Sequence, residues 1–94
     1  MSKITLELVV TNSEGLHMRP MMKFVDCANQ FAANIAVSKP QDPSGDVVDG
    51  KSVMNMMTVV DVQGTPYKID IDGEDAEAAA EAFKKLFEEK FGEE

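Results

Sequence analysis

Apolar residues alternate with polar ones in two stretches of this sequence, residues 4–11 and 67–72. A period of two is typical of a β-strand that buries one face. Two shorter stretches, 34–39 and 46–49, are separated by a dense turn signal at 40–45 and predict the two strands of a hairpin. The alternating apolar positions of the long stretches are Ile4, Leu6, Leu8 and Val10, then Tyr67, Ile69 and Ile71. The pattern therefore predicts four strands.

Helical spacing marks two segments between these strands. The first follows a predicted turn at 12–15, and Pro20 lies in its first turn, where a missing N–H costs nothing. The second is short, over 53–59, and Ser52 is a suitable N-cap for it. Val53 and Met56 are its inward residues. The apolar stripe of the first helix is Met21, Phe24, Val25, Ala28 and Phe31.

A third helix is predicted near the end of the sequence. It opens at residues 72–73, with acidic residues near its positive N-terminal end. Its final segment, 88–94, is acidic and is expected to be a solvated helix end. Its apolar stripe is Ala76, Ala79, Ala80, Phe83, Leu86 and Phe87. The order βαββαβα predicts an α+β open-faced sandwich, a mostly antiparallel four-stranded sheet with three helices on one face, in a single domain over 1–94.

Composition and charge narrow the functional classes. The chain has 94 residues, of which 44% are apolar and 28% charged, as in an ordinary globular domain. Its net charge of −8 has the wrong sign for nucleic acid or an anionic membrane surface. No apolar run approaches the length of a membrane-spanning helix or a signal-peptide core. We therefore expect a cytoplasmic protein that neither binds nucleic acid nor inserts into a membrane.

The chain has one cysteine, Cys27, and one histidine, His17. A single cysteine cannot form an intrachain disulfide, and the two residues cannot supply a zinc ligand set. Cys27 is expected to be a structural thiol beside the first helical stripe. No metal and no cofactor are predicted.

The segment G-L-H-M-R-P at 15–20 is the best place for a reactive group. His17 lies at a helix start, and a neutral imidazole is a nucleophile. If it takes up a phosphoryl group, the backbone N–H groups of Met18 and Arg19 point at the anion, and the helix dipole favours it. The Arg19 guanidinium adds donors suited to phosphate oxygens. A histidine that merely caps the helix is the structural alternative.

Methionines are concentrated near two helix starts. Met54 and Met57 lie three positions apart, on the side opposite the inward residues of their short helix, so both pairs cannot be buried by one sheet. Met18 and Met22 could extend the same exposed surface. These four residues are called the methionine patch below. Adaptable thioethers suit a protein that docks on several partners.

The sequence resembles the histidine-containing phosphocarrier protein family, HPr, of the bacterial phosphotransferase system. The resemblance covers G-L-H-M-R-P at 15–20, K-S-V-M-N-M-M at 51–57, D-G at 72–73 and the order of elements. It implies that His17 accepts a phosphoryl group on Nδ1 from enzyme I, assisted by Arg19, and passes it to an enzyme IIA domain. Such a protein is a phosphoryl carrier and turns over no substrate itself; we expect it to be a monomer.

The resemblance also implies roles around the short helix. Ser52 corresponds to the serine that a dedicated HPr kinase phosphorylates in some lineages, and the methionine patch to the surface that partners share. The sequence departs from the common pattern at Met18 and Met21, where alanine is more usual, and in a longer turn at 40–45. Val60 replaces a frequent glycine.

Two alternatives remain open at this point. One is a regulatory HPr-like binding protein, of a nitrogen-related or catabolite-repression branch, that acts through Ser52 and the methionine patch. The other is a nucleotide-binding module, because residues 45–52 satisfy the P-loop pattern G-x-x-x-x-G-K-S with Lys51. A P-loop follows a buried strand of a parallel sheet, whereas here a Pro-rich turn precedes it, so the match is expected to be spurious.

Overall fold

Four antiparallel strands form one sheet in the computed structural model, which describes residues 2–42 and 45–93. The strands are β1 (Ser2–Val9), β2 (Asn34–Ser38), β3 (Val48–Asp49) and β4 (Pro66–Gly73). Their order across the sheet is β1-β4-β2-β3, so the longest inner strand pairs with β1 along its whole length and with β2 on its other side. The predicted four-stranded antiparallel sheet is confirmed.

Three α-helices cover one face of this sheet, which gives the predicted open-faced α+β sandwich. They are α1 (Met18–Ala28), α2 (Val53–Met56) and α3 (Ala76–Glu88). Short 3₁₀ turns follow α2 at Met57–Val59 and α3 at Lys90–Gly92. Across the described ranges, no helix is both long enough and apolar enough to cross a membrane.

A cluster of phenylalanines joins α1 to α3. The Phe24 ring stacks on Phe83 with 4.6 Å between centroids and meets Phe87 edge-on at 6.3 Å. All three side chains are buried in the hydrophobic core. Each aromatic pair of this kind adds about 0.5–1.5 kcal/mol beyond the area that it buries. The position of α1, and of the residue that precedes it, is therefore fixed by packing against α3.

A buried tyrosine fixes the 3₁₀ turn that follows α2 on the sheet. The Tyr67 hydroxyl donates a hydrogen bond of 2.6 Å to the Val59 carbonyl oxygen. Burial raises the pKa of this hydroxyl, so it remains a donor at neutral pH. The predicted inward residue Met56 is fully buried as well. These contacts hold the short helix against β4.

The strand boundaries differ from the predicted ones. β1 begins and ends two residues before the predicted stretch 4–11, because its pairing with β4 starts at Ser2 opposite Gly73. β3 is only two residues long, since only Ala36 and Val37 of β2 pair with it. Val47, predicted within that strand, is 65% exposed. Of the turn at 40–45, residues 43 and 44 lie outside the described residues.

Two helix ends also correct the prediction. α1 ends at Ala28, so Phe31 lies beyond it and packs, half-buried, against the core. Residues 72–73 end β4 and do not open α3, because the pairing with β1 extends through Gly73. The Asp75 carboxylate accepts hydrogen bonds from the Ala32 and Ala33 N–H groups at 2.8 and 2.9 Å, which hold the pKa of its carboxyl below the usual value.

The segment after α3 is not the predicted solvated helix end. Lys90, Phe91 and Gly92 all have positive φ angles, 54°, 56° and 76°, and turn the chain back toward α1. Phe91 is buried, with its ring 4.8 Å from that of Phe87, and the Lys23 ammonium donates to the Phe91 carbonyl at 2.5 Å. Residues 90–93 are called the clasp below. Glu94 lies outside the described residues.

Candidate functional site

His17 is the N-cap residue of α1, and the turn before it is tightly anchored. Gly15 has a φ of 73°, and a Cβ there would lie 2.3 Å from the Asp61 carbonyl oxygen, so only glycine fits. The next residue, Leu16, is buried and donates its N–H to the same oxygen at 2.8 Å. The imidazole is therefore carried by a backbone that has little freedom to move.

The N-terminus of α1 is open. The His17 side chain makes no capping hydrogen bond, and the first intrahelical bond runs from the Met21 N–H to the His17 carbonyl at 2.9 Å. Within residues 2–42 and 45–93, the N–H groups of Met18 and Arg19 have no hydrogen-bond partner. Pro20 has no N–H to offer. Two backbone donors and the positive end of the helix dipole thus face outward beside the imidazole.

The clasp places a carboxylate on the imidazole. Glu93 Oε1 lies 3.1 Å from His17 Nε2 and 3.1 Å from Asn12 Nδ2, which also donates to the Gly15 carbonyl at 2.7 Å. The side chain of Glu93 is only 13% exposed, whereas that of His17 is 38% exposed. His17 Nδ1 has no hydrogen-bond partner among the described residues. One ring nitrogen is therefore engaged and the other is available.

Arg19 lies beside this histidine, as predicted. The two side chains line one shallow depression together with Ser13, Glu14 and Glu93. Arg19 is exposed, and the salt bridges of the described residues do not include it. Its guanidinium is therefore available to an anion bound in the depression. The structure thus brings His17, Arg19 and the N–H groups of Met18 and Arg19 together.

Ser52 caps α2, as predicted. Its Oγ accepts hydrogen bonds from the Asn55 N–H at 3.2 Å and from Asn55 Nδ2 at 3.1 Å. Beyond this cap, Met54 is 80% exposed and Met57 is also exposed. The predicted division of the short helix into a buried and an exposed side is confirmed. A phosphorylation of Ser52 stays a prediction.

The other half of the methionine patch lies on α1. Met18 and Met22 are both exposed, whereas Met21, which faces the opposite way, is fully buried. α1 and α2 contact each other, so exposed thioethers lie on two neighbouring helices. The exposure of all four predicted residues is confirmed, and their role in partner binding stays a prediction.

The segment 45–52, which matches the P-loop pattern, has a different role in this structure. Part of it forms β3, and a Cβ on Gly50 would lie 2.8 Å from the Ile35 side chain, so that glycine permits close packing in the core. The Lys51 ammonium donates to the Phe31 carbonyl at 2.7 Å and the Lys51 N–H to Asp49 Oδ1 at 2.9 Å. A P-loop lysine binds phosphates; here the side chain holds a backbone oxygen.

Cys27 is half-buried and packs against the core. Burial raises the pKa of its thiol, which keeps it protonated and poorly nucleophilic. Both observations agree with the structural role that the sequence predicts for it.

Sequence reasoning missed two residues of the site, Asn12 and Glu93. Asn12 was predicted only as part of a turn, yet it is fully buried. Glu93 was predicted to be solvated. The one signal in the acidic segment is Phe91, an isolated aromatic residue whose burial could have indicated a return of the chain to the core.

Comparisons with known proteins agree with this geometry. The family model of the PTS HPr component phosphorylation site matches residues 4–89. The phosphocarrier protein HPr of Xylella fastidiosa is 40% identical over 87 residues, covering 93% of each chain. That of Neisseria meningitidis is 34% identical and covers 99% of this chain and 98% of its own.

A solved structure shows the same fold. The crystal structure of HPr-C-His from Thermoanaerobacter tengcongensis superposes with a TM-score of 0.83 at 37% identity, covering 100% of this chain and 99% of the other. Fold, site and relatives together define a phosphocarrier protein. The chain belongs to the HPr family, and its function is that of a phosphocarrier in the phosphoenolpyruvate-dependent phosphotransferase system.

Proposed function

We propose that His17 is the residue that carries the phosphoryl group, on Nδ1. The observation that carries this proposal is the asymmetry of the ring: Nε2 lies 3.1 Å from a carboxylate oxygen, while Nδ1 has no partner among the described residues. A nucleophilic nitrogen needs a free lone pair and access to its donor. Nδ1 meets the first condition, and the 38% exposure of the side chain supports the second.

The start of α1 supplies the charge that a phosphoryl group needs. The N–H groups of Met18 and Arg19 and the Arg19 guanidinium are donors without partners in the described part of the chain. The two backbone donors are fixed by the helix before the anion arrives, so they cost no reorganisation during transfer. We assign to Arg19 a bidentate contact with the phosphoryl oxygens, which a lysine would not reproduce.

We propose enzyme I as the phosphoryl donor and an enzyme IIA domain as the acceptor, both in the cytoplasm. Transfer moves one phosphoryl group onto His17 and then off it, so the protein returns to its starting state without converting a substrate of its own. The methionine patch is the proposed contact surface, because its exposed side chains lie on α1 beside His17 and on the neighbouring α2. Met54→Asp, which places charge within this patch, is expected to slow both transfers.

Ser52 is the proposed site of regulation by a serine kinase. It is partly exposed, and a phosphate there would remain at a helix N-terminus, where negative charge is favourable. The same charge would lie next to the exposed Met54 and would have to be desolvated when a partner covers α2. Folding is therefore expected to survive the modification, and docking to be weakened.

The test is phosphorylation with phosphoenolpyruvate and enzyme I. The wild type is expected to gain one acid-labile phosphate, since a phosphoramidate on imidazole hydrolyses in acid, whereas phosphoserine does not. His17→Ala should abolish the label, and Ser52→Ala, the matched control, should keep it. An unmodified wild type, or a labelled His17→Ala protein, would show that the assignment is wrong.

A further inference from the structure

We propose that Glu93 is a positioning residue that holds the proton of His17 on Nε2 and thereby reserves Nδ1 for the phosphoryl group. This inference rests on the proposed function of His17. The family match ends at residue 89, so Glu93 lies beyond the matched stretch. Its role follows from the contacts that the clasp makes in this chain.

The carboxylate is oriented from its other side by Asn12. Asn12 Nδ2 donates to Glu93 Oε1 at 3.1 Å and to the Gly15 carbonyl at 2.7 Å. Rotating the amide by 180° would turn its oxygen toward both acceptors, so this orientation is the one that the contacts allow. Asn12 Oδ1 is then left buried without a partner. A buried acceptor without a partner is unfavourable, and the two hydrogen bonds that Nδ2 donates offset that cost.

The backbone of the clasp is built to bring Glu93 to this place. Two consecutive non-glycine residues, Lys90 and Phe91, adopt positive φ angles, which side chains rarely do. Burial of Phe91 and the hydrogen bond from Lys23 to its carbonyl compensate for that strain. The carboxylate that results is only 13% exposed. A solvated tail would need none of these features.

A carboxylate on Nε2 affects the chemistry at Nδ1. A carboxylate only accepts hydrogen bonds, so Nε2 must carry the proton and the lone pair lies on Nδ1. In the transfer, this lone pair forms the new N–P bond while the donor–phosphorus bond breaks, and its electron pair leaves with the donor. Nε2 keeps its proton, so the ring gains one positive charge. That charge develops 3.1 Å from Glu93 Oε1, where it is stabilised.

The test begins with the unphosphorylated protein, whose imidazole nitrogens are followed by ¹⁵N NMR. In the wild type we expect the Nε2–H tautomer alone, with slow exchange of this proton with water. Glu93→Ala should give a mixture of tautomers and exchange that is faster by at least about tenfold, because the partly buried acceptor is lost. Glu88→Gln is the matched control: it removes an exposed carboxylate from the end of α3 and should match the wild type. A Glu93→Ala spectrum identical to the wild-type spectrum would overturn the proposal.

A second variant perturbs Glu93 without replacing it. Asn12→Asp keeps the size of the side chain but removes the donor and places a second carboxylate against Glu93. It should release the clasp and give the same mixture of tautomers. A folded Asn12→Asp protein with the wild-type tautomer and proton exchange would contradict the proposal. Melting curves of both variants show whether each one folds. If Asn12→Asp does not fold, the Glu93→Ala spectrum alone decides whether Glu93 sets the tautomer of His17.

Phosphotransfer supplies the functional readout. Glu93→Ala should lower the maximal rate of phosphorylation by enzyme I at least about tenfold with little change in KM, because the ring is disordered while the docking surface is intact. A shifted tautomer with an unchanged rate would show that Glu93 has no part in transfer. If the wild type itself takes up no phosphate, the proposed function fails, whereas the NMR result still decides whether Glu93 sets the tautomer.

Discussion

Two helix starts in this protein are built in opposite ways. At α2, Ser52 Oγ accepts the N–H of Asn55, the third helical residue, and so closes the helix end. At α1, the third helical residue is Pro20, which has no N–H for a cap to bind. His17 makes no capping bond there, and the N–H groups of Met18 and Arg19 remain without partners among the described residues.

The difference separates stability from function. At a closed helix start, a side chain of the same protein accepts the free backbone N–H groups. A serine or aspartate cap of this kind stabilises a helix by about 1 kcal/mol. An open start gives up that stabilisation and keeps its donors for an anion. The same element of structure thus supports the fold at α2 and, in the function proposed above, binds a phosphoryl group at α1.

Closing the start of α1 should have the largest effect. In His17→Ser the new hydroxyl can accept the Arg19 N–H, so the amide exchange of Arg19 should slow. The acid-labile phosphate should disappear completely, because the nucleophile is gone. Amide exchange by NMR and labelling with enzyme I measure the two effects. Persistent labelling would mean that the phosphate resides elsewhere.

Adding charge at the start of α2 should have an intermediate effect. Aspartate caps about as well as serine, so Ser52→Asp should keep the melting temperature nearly unchanged. Its carboxylate lies next to the methionine patch, and we expect phosphorylation by enzyme I to slow at least about tenfold, or about 1.4 kcal/mol. The initial rate is compared with the melting temperature. An unchanged rate in a folded protein would exclude this helix from the docking surface.

Opening the start of α2 should affect stability alone. Ser52→Ala removes the acceptor of both Asn55 hydrogen bonds and should lower the free energy of unfolding by about 1 kcal/mol. No charge is added, so the phosphorylation rate should stay at the wild-type value. Urea denaturation and the labelling assay test the two parts. A slowed transfer here would indicate that the shape of α2, more than its charge, governs docking.

Lys51 should matter least, although it lies beside Ser52. Lys51→Ala loses one hydrogen bond to the Phe31 carbonyl, and we expect it to cost no more than about 1 kcal/mol of stability. Labelling of His17 should be unchanged, and calorimetry should detect no saturable binding of ATP with magnesium to the wild type. Micromolar affinity would revive the P-loop alternative.

The spacing of apolar residues correctly predicted those strands and helices in which buried side chains recur at regular intervals along the chain. The alternation at Tyr67, Ile69 and Ile71 identified β4 because all three side chains face the core. The helical stripe that contains Phe83 identified α3 for the same reason. The motif at 15–20 likewise placed His17 and Arg19 together, since both lie within one turn of a helix start.

The clasp could not be predicted in this way. Its acidic composition is typical of a solvated helix end, and one buried aromatic residue forms no period. The contact between Glu93 and His17 depends on a turn with positive φ angles and on a carbonyl that Lys23 caps from another helix. Long-range contacts of this kind leave no local pattern. The length of β3 was overestimated, because the strand-like pattern over 46–49 is longer than the part of β2 that pairs with it.

The separation of His17 and Glu93 along the chain also determines when their contact can form during synthesis. The two residues lie 76 positions apart. A ribosome makes the N-terminal side first, so the imidazole and α1 exist well before the carboxylate. β1 likewise cannot complete its pairing before β4 has been synthesised, because Ser2 pairs with Gly73, the last residue of β4. The sheet can close once residue 73 has emerged, but the ring acquires its partner only after residue 93. The carboxylate acceptor is thus synthesised after every strand of the sheet.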